Sequence, residues 1–132
     1  MSTNKQLMTD VFAEMAKGNR APFRDCLADD VVWIFRGSTK WTGTFRGKAS
    51  VLKDLLGPIF SQFDGIYTSK AERLIAADDY VVVEAQGCVT TLAGMPYHNK
   101  YCYIFRLRNS RIVEITEYMD TALADAVLAD PA

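Results

Sequence analysis

The chain has 132 residues, of which 15 are basic, 16 are acidic and one is histidine, so its formal net charge is −1. This length favours one domain over residues 1–132, and charges of both signs are interspersed without a basic patch for nucleic acid or an anionic membrane. The three cysteines lack a paired metal or redox spacing, and the sequence has neither a signal-peptide pattern nor a run of about twenty apolar residues. We therefore expect a cytoplasmic protein with free thiols that binds neither nucleic acid nor a membrane.

Three helices are predicted in the first half of the chain. Residues 6–17 have apolar side chains at spacings of three and four, which is typical of an amphipathic helix. A shorter helix is predicted over residues 19–28, and a third over 48–62. Pro58 should kink or end this third helix, because proline lacks a backbone donor.

Strands dominate the rest of the sequence. Four of them precede the final hairpin, over residues 31–35, 41–46, 65–77 and 80–91. A two-residue turn at Asp78-Asp79 would bring Arg73 opposite Glu84, which favours a cross-strand ion pair. The last strands lie within residues 96–120 and are followed by a tail helix over 121–129. Helices set apart from an antiparallel sheet define an α+β fold.

The final hairpin is the stretch on which the predicted site depends. The polar pair Asn109-Ser110 predicts a hairpin turn. If the loop has two residues, the numbers of each pair of facing residues add up to 219. Side chains alternate along a strand, so one face then combines apolar residues near the turn with polar groups at the far end. In this register Phe105 faces Glu114, Tyr103 faces Thr116, Tyr101 faces Tyr118 and Asn99 faces Asp120. Glu117 falls on the opposite face, and a slip by one residue would exchange the two faces.

Short motifs along nearly the whole chain resemble those of a known family. They are Lys17-Gly18-Asn19, Asp29-Asp30-Val31-Val32-Trp33, Thr44-Phe45-Arg46-Gly47-Lys48, the residues Tyr97, Asn99 and Tyr101, and Glu117-Tyr118-Met119-Asp120. With them the chain resembles the SnoaL-like branch of the superfamily that includes ketosteroid isomerase and nuclear transport factor two. The resemblance implies a cone-shaped curved antiparallel sheet, wrapped around the N-terminal helices and enclosing a cavity. It also implies a homodimer through the outer sheet face, where Cys102, Ile104, Val113 and Ile115 would form an apolar band.

The resemblance also indicates what the cavity does not do. At the three positions that carry ketosteroid isomerisation this sequence has Phe35, Val11 and Tyr101, so two of the three required groups are missing. SnoaL-type cyclases use a late aspartate as base, which matches Asp120 here. A carboxylate at the polar end of an apolar cavity would have a raised pKa, as a general base requires.

The predicted site therefore has Asp120 and Tyr101 as catalytic residues, without metal or cofactor. The substrate would be a small hydrophobic molecule, and its contacts would be Asn99, Tyr118, Tyr103, Trp33, Phe105 and Thr116. Several of these have structural alternatives: Asp120 is also a good N-cap for the tail helix, and Trp33 could be core. The lone histidine, His98, is favoured as a structural or solvated residue.

Three functions fit this sequence. The first is an isomerase, cyclase or dehydratase that uses acid–base chemistry in a hydrophobic pocket. The second is a non-catalytic protein that binds small hydrophobic ligands in the same pocket. The third is a protein-interaction module, which a cavity filled by Phe35, Trp33 and Tyr103 would favour.

Overall fold

The structure, a computed structural model, describes residues 3–129 as five α-helices, one π-helical segment and six strands. The helical elements are α1 (Asn4–Met15), α2 (Ala21–Cys26), α3 (Lys48–Ser50), the π-helical segment (Val51–Leu56), α4 (Gly57–Phe60) and α5 (Thr121–Val127). The strands are β1 (Leu27–Phe35), β2 (Gly43–Arg46), β3 (Phe63–Ala77), β4 (Tyr80–Thr91), β5 (Lys100–Arg108) and β6 (Arg111–Met119). The predicted α+β fold is confirmed.

All six strands form one sheet in the order β2-β1-β6-β5-β4-β3. Its neighbours are antiparallel except β1 and β6, which run parallel. The sheet therefore joins the early β1–β2 hairpin to the late four-strand meander, and α1 packs against β3 and β4. Among the described residues, no helix is both long and apolar enough to cross a bilayer.

The helix predicted over residues 48–62 is interrupted where proline enters it. Pro58 lies in the first turn of α4, and the preceding residues form the π-helical segment. The Gly57 amide donates to the carbonyl of Leu52, five residues back. A wider turn of this kind accommodates a residue that has no N–H to donate. The three pieces form one continuous helical stretch over the inner face of the sheet.

The core lies between α1 and the inner sheet face. Met8, Val11 and Phe12 are buried on the predicted stripe of α1. The Phe12 ring lies 6.0 Å from that of Phe105 and 6.1 Å from that of Tyr103, measured between centroids. These edge and tilted contacts are favoured aromatic geometries, and they hold α1 against the middle of β5.

The β5–β6 hairpin begins as predicted and then departs from the predicted register. Asn109 and Ser110 both have positive φ, 53° and 60°, as the two-residue turns of β-hairpins usually require. Next to the turn, Leu107 faces Ile112 as predicted. A β-bulge follows, because Arg106 pairs with Glu114 and one residue of β6 is left over. The numbers of facing residues then add up to 220 instead of 219.

The predicted partners beyond this bulge are therefore wrong. Tyr103 faces Glu117 instead of Thr116, Cys102 faces Tyr118, and Phe105 faces Ile115. Because side chains alternate, one extra residue exchanges the two faces of β6. Ile115 accordingly lies in the core and not in the outer apolar band.

The β3–β4 hairpin follows its predicted register from the turn as far as Arg73, and beyond Arg73 the pairing shifts. Arg73 faces Glu84 and the two side chains form the expected cross-strand ion pair. Both side chains are largely exposed, so this pair contributes little to stability. Glu84 is therefore not part of the inner face.

Candidate functional site

A pocket of about 300 Å³ opens between the helices and the inner face of the sheet. Most of its wall is apolar, with Phe12, Met15 and Phe23 from α1 and α2, and Leu52, Leu55 and Phe60 from the helical stretch. Phe63, Tyr67 and Tyr101 continue the wall on the strands. The pocket is thus concave and apolar, with few polar groups, as small-molecule sites usually are.

One carboxyl group reaches this apolar space. Glu117 lies on β6, lines the pocket, and has only 5% of its surface exposed. Burial raises the pKa of Glu117 to about 8, and the hydrogen bond from Trp33 partly opposes this rise. Trp33 Nε1 donates to Glu117 Oε1 over 2.9 Å. The side chain can therefore exchange a proton near neutral pH, which an ordinary glutamate cannot do efficiently.

Three tyrosines surround the same space. Tyr67, Tyr101 and Tyr103 line the pocket, and the rings of Tyr101 and Tyr103 stack with centroids 5.3 Å apart. Burial raises the pKa of Tyr67 to about 12 and that of Tyr101 and Tyr103 well above the usual value. All three hydroxyls therefore stay protonated at neutral pH and can donate hydrogen bonds.

A glycine on β4 makes room for two of these tyrosines. A Cβ atom at Gly87 would lie 2.7 Å from the Tyr67 hydroxyl oxygen and 3.0 Å from Tyr101 Cε2. Both distances are shorter than ordinary contacts, so any side chain here would displace the tyrosines. The missing side chain of Gly87 thus lets Tyr67 and Tyr101 lie close to the backbone of β4.

Three of the predicted site residues line the pocket together. Tyr101, Tyr103 and Trp33 all contribute to its wall, close to Glu117. Phe105 is fully buried and stacks on Tyr103 at 5.4 Å between centroids, so it supports the wall from the core. The cavity stays open, and Trp33 and Tyr103 line it without filling it.

Asn99 serves the backbone instead of the pocket. It is fully buried, and its amide nitrogen donates to the Tyr97 hydroxyl over 2.9 Å and to the Asp120 carbonyl over 3.1 Å. Its side-chain oxygen accepts from the amides of Lys100 and Asp120. Asn99 therefore ties the start of β5 to the end of β6.

Asp120 lies outside the pocket wall. Its exposed carboxylate accepts from the Leu123 amide over 3.1 Å and caps α5, which is the structural alternative considered for it. The role of catalytic base stays a prediction for Asp120, without a pocket contact to support it. Thr116 and Tyr118 lie on the other face of β6 from Glu117, and Tyr118 is 46% exposed.

Glu117 and Tyr67 line the pocket although neither is among the predicted site residues. For Glu117 the signal was present, since a slip by one residue reverses the faces of β6, and the bulge supplies that slip. Tyr67 lies on β3 beyond a shift in register between Ala71 and Arg73, so alternation counted from the Arg73–Glu84 pair would have placed it on the outer face. No cluster of three or more metal-ligating side chains occurs within residues 3–129.

Comparison with known proteins agrees with this architecture. The sequence profile of the SnoaL-like domain matches residues 8–115. Uncharacterized protein Rv0034 from Mycobacterium tuberculosis (strain ATCC 25618 / H37Rv) is 27% identical over 124 residues, covering 93% of this chain and 94% of that protein.

Two crystal structures illustrate the fold. An NTF2-like protein of unknown function from Burkholderia pseudomallei K96243 superposes with a TM-score of 0.80 at 20% identity, covering 98% of this chain and 99% of that one. A candidate SnoaL-like polyketide cyclase from Jannaschia sp. CCS1 has a TM-score of 0.76 at 15% identity, covering 98% and 93%. At these identities the structures support the fold alone, whereas the profile covers most of the chain. The chain therefore belongs to the SnoaL-like domain family.

Proposed function

We propose that this protein is an isomerase, cyclase or dehydratase that moves a proton on a small hydrophobic substrate, with Glu117 as the acid–base group. The observation that carries the proposal is the position of Glu117. It is a buried carboxyl in the wall of an apolar pocket, and its pKa is raised to about 8. A perturbed carboxyl in a cleft is a candidate catalytic group on physical grounds.

The reaction begins with a carbonyl substrate in the pocket. Ionised Glu117 takes a proton from the carbon next to the carbonyl, and the electron pair of that C–H bond moves into an enolate. Tyr101 and Tyr67, which stay protonated, donate hydrogen bonds to the developing enolate oxygen. Donors placed in a water-poor site stabilise such charge strongly.

The second step decides the class of product. Return of the proton from Glu117 to a different carbon completes an isomerisation. In a cyclisation, the enolate carbon attacks a second carbonyl to form the ring, and the alkoxide oxygen that results takes the proton from Glu117. In a dehydration, the protonated carboxyl gives its proton to a departing hydroxyl group. Each course uses the same two protonation states of one carboxyl, which a pKa near 8 makes accessible.

Trp33 orients the carboxyl group. Its indole N–H donates to Oε1 of Glu117, so we assign the proton transfer to Oε2. The same bond favours the ionised form and keeps the pKa from rising further. Trp33 is therefore a positioning residue in this proposal.

The family supports the chemistry only in a general way. The chain belongs to the SnoaL-like domain family, and one structure of the same fold is a candidate polyketide cyclase. Because one fold hosts many chemistries, the side chains in the pocket are what indicate the reaction.

Hydrogen–deuterium exchange tests the proposal without the natural substrate. We would incubate 2-tetralone, an apolar ketone with acidic α-protons, in D₂O and follow its α-proton signals by NMR. We expect the protein to accelerate exchange, and Glu117→Gln to reduce this acceleration by at least about 100-fold. Glu114→Gln is the matched control, since Glu114 lies on the same strand outside the pocket wall.

The outcomes separate the two small-molecule functions. Exchange that is equal in Glu117→Gln and in the unmodified protein contradicts the proposal. Binding of 2-tetralone without any accelerated exchange favours the non-catalytic binding protein.

A further inference from the structure

Two arginines line the pocket at its α2 side. Arg20 immediately precedes α2, Arg24 lies four residues further on, and both contribute to the pocket wall. Apart from them, Glu117 is the only charged residue in this wall within the described part of the chain. Arg24 is exposed and Arg20 partly so, whereas Glu117 is buried. The positive charge thus marks the solvent end of the pocket and the carboxyl its inner end.

Neither guanidinium has a carboxylate partner among residues 3–129. Three other arginines do have one: Arg73 pairs with Glu84, Arg106 with Asp79, and Arg108 with Asp30. Arg36, Arg46 and Arg111 have none among these residues either, so what distinguishes Arg20 and Arg24 is that they lie in the wall of an apolar pocket. The Arg20 guanidinium instead lies over the Phe60 ring, 3.7 Å from its centroid. Burial, and secondarily repulsion from Arg24, lower the pKa of Arg20. The pocket wall therefore holds two neighbouring positive charges that pair with no acidic side chain of residues 3–129.

We infer that the substrate of this pocket is an organic anion, with an apolar body among the aromatic side chains and a carboxylate group bound by Arg20 and Arg24. The inference deepens the proposed function, on which it rests, because it names the substrate class of the same pocket. It follows from the unpaired arginines and not from the position of Glu117.

Arginine suits this task for geometric reasons. Its planar guanidinium matches a carboxylate through two parallel N–H···O bonds, and it is weakly hydrated enough to lie partly buried on an aromatic face. Arg20 already lies on Phe60, so its orientation is restricted before a ligand arrives. A bound carboxylate would relieve the repulsion between the two arginines. The apolar body of the ligand would then extend toward Glu117, which is mostly uncharged at pH 7 and does not repel an anion.

Two ligands of nearly the same shape, one anionic and one neutral, test the inference. We would measure the dissociation constants of 2-naphthoate and 2-naphthamide at pH 7 and low salt by isothermal titration calorimetry. We expect naphthoate to bind at least about tenfold more tightly, a difference of about 1.4 kcal/mol. In Arg20→Gln/Arg24→Gln this preference should vanish while the affinity for naphthamide stays within about threefold, since the apolar walls are unchanged.

Control variants separate the local effect from net charge. Arg36→Gln/Arg46→Gln removes the same charge from two exposed residues outside the pocket wall, and it should keep the preference for naphthoate. Glu117→Gln should keep it as well, because the anion is bound at the other end of the pocket. Circular dichroism and a thermal melt of each variant confirm that it is folded before binding is compared.

The possible results distinguish this inference from the proposed function. Equal binding of the two ligands by the unmodified protein overturns the inference but leaves the apolar pocket and Glu117 chemistry intact. A preference that survives in Arg20→Gln/Arg24→Gln also overturns it. If Glu117→Gln prefers naphthoate but does not change 2-tetralone exchange, the inference holds and the proposed function fails.

Discussion

Trp33 Nε1 donates a 2.9 Å hydrogen bond to Oε1 of Glu117, and both side chains are buried in the wall of one pocket. Trp33 comes from β1 and Glu117 from β6, which are parallel neighbours although 84 positions separate the two residues. The contact exists only because the early hairpin joins the late meander at this edge. Within residues 3–129, Glu117 is the one acidic side chain in the pocket wall. Its protonation therefore depends on a hydrogen bond that the pairing of β1 with β6 makes possible.

Removing the indole donor should raise the pKa of Glu117. In Trp33→Phe the carboxylate loses the hydrogen bond that favours its ionised form, so we expect a rise of about one pH unit or more, since hydrogen bonds to charged groups contribute about 1.5–3 kcal/mol. The measurement is an NMR titration of protein with ¹³C-labelled glutamate side chains. Trp41→Phe is the control, because Trp41 is equally buried but does not line the pocket. An unchanged titration in Trp33→Phe would contradict this account of the hydrogen bond.

Stability should depend on pH through Glu117. Its pKa is about 8 in the folded protein against 4.5 in the reference state, so between these values the folded protein binds more protons than the unfolded chain. The contribution of Glu117 to the free energy of unfolding is therefore fully present below pH 4.5. It falls by up to about 1.4 kcal/mol per pH unit as the pH rises toward 8. Glu117→Gln lacks this dependence. Urea denaturation at pH 5 and pH 8 should show that the variant is more stable relative to the unmodified protein at pH 8 than at pH 5. If the difference between their free energies of unfolding is the same at both pH values, the prediction is wrong.

Adding one methyl group at Gly87 should disturb the tyrosines. In Gly87→Ala the new Cβ would lie 2.7 Å from the Tyr67 hydroxyl oxygen, so we expect a loss of about 1–3 kcal/mol and slower proton exchange on 2-tetralone. Tyr67→Phe removes the clashing oxygen. A double-mutant cycle measured by urea denaturation should therefore show that Gly87→Ala costs less in the Tyr67→Phe background. Additive effects would mean that the two residues do not crowd each other.

The homodimer implied by the family resemblance stays a prediction, and the structure indicates the face to test. Val82, Ile104 and Ile75 lie side by side across β4, β5 and β3, and Ile75 is 54% exposed. If this face is covered by a second copy, light scattering after size exclusion gives twice the chain mass, and Ile104→Lys gives the mass of one chain. Lys53→Glu, on the helical stretch away from this face, should leave the mass unchanged. A single-chain mass for the unmodified protein would contradict the prediction.

Local patterns predicted most of the fold. The stripe of α1, the turn at Asn109-Ser110 and the pairing of Arg73 with Glu84 all follow from spacing and turn chemistry within short stretches. Such features depend on neighbours in sequence, so the residues themselves contain the information. The parallel pairing of β1 with β6 is different, because it depends on contacts between distant segments.

The candidate site was harder to predict because one residue decides it. Tyr101 and Tyr103 were found because the extra residue lies in β6 and leaves the alternation along β5 unchanged, and Trp33 was found on β1. The choice between Asp120 and Glu117 depends on the bulge in β6, where an extra residue reverses the direction of each later side chain. No turn residue marks that bulge in the sequence. The sequence therefore predicted the pocket and two of its three tyrosines, but not Tyr67 and not the acid.

The most direct test of this account is the titration of Glu117 itself. The chain has five glutamates, and Glu117→Gln identifies the ¹³C resonance that belongs to residue 117. The account predicts that this resonance titrates near pH 8 and moves with the pH dependence of 2-tetralone exchange. A resonance that titrates near pH 4.5, like an exposed glutamate, would contradict it.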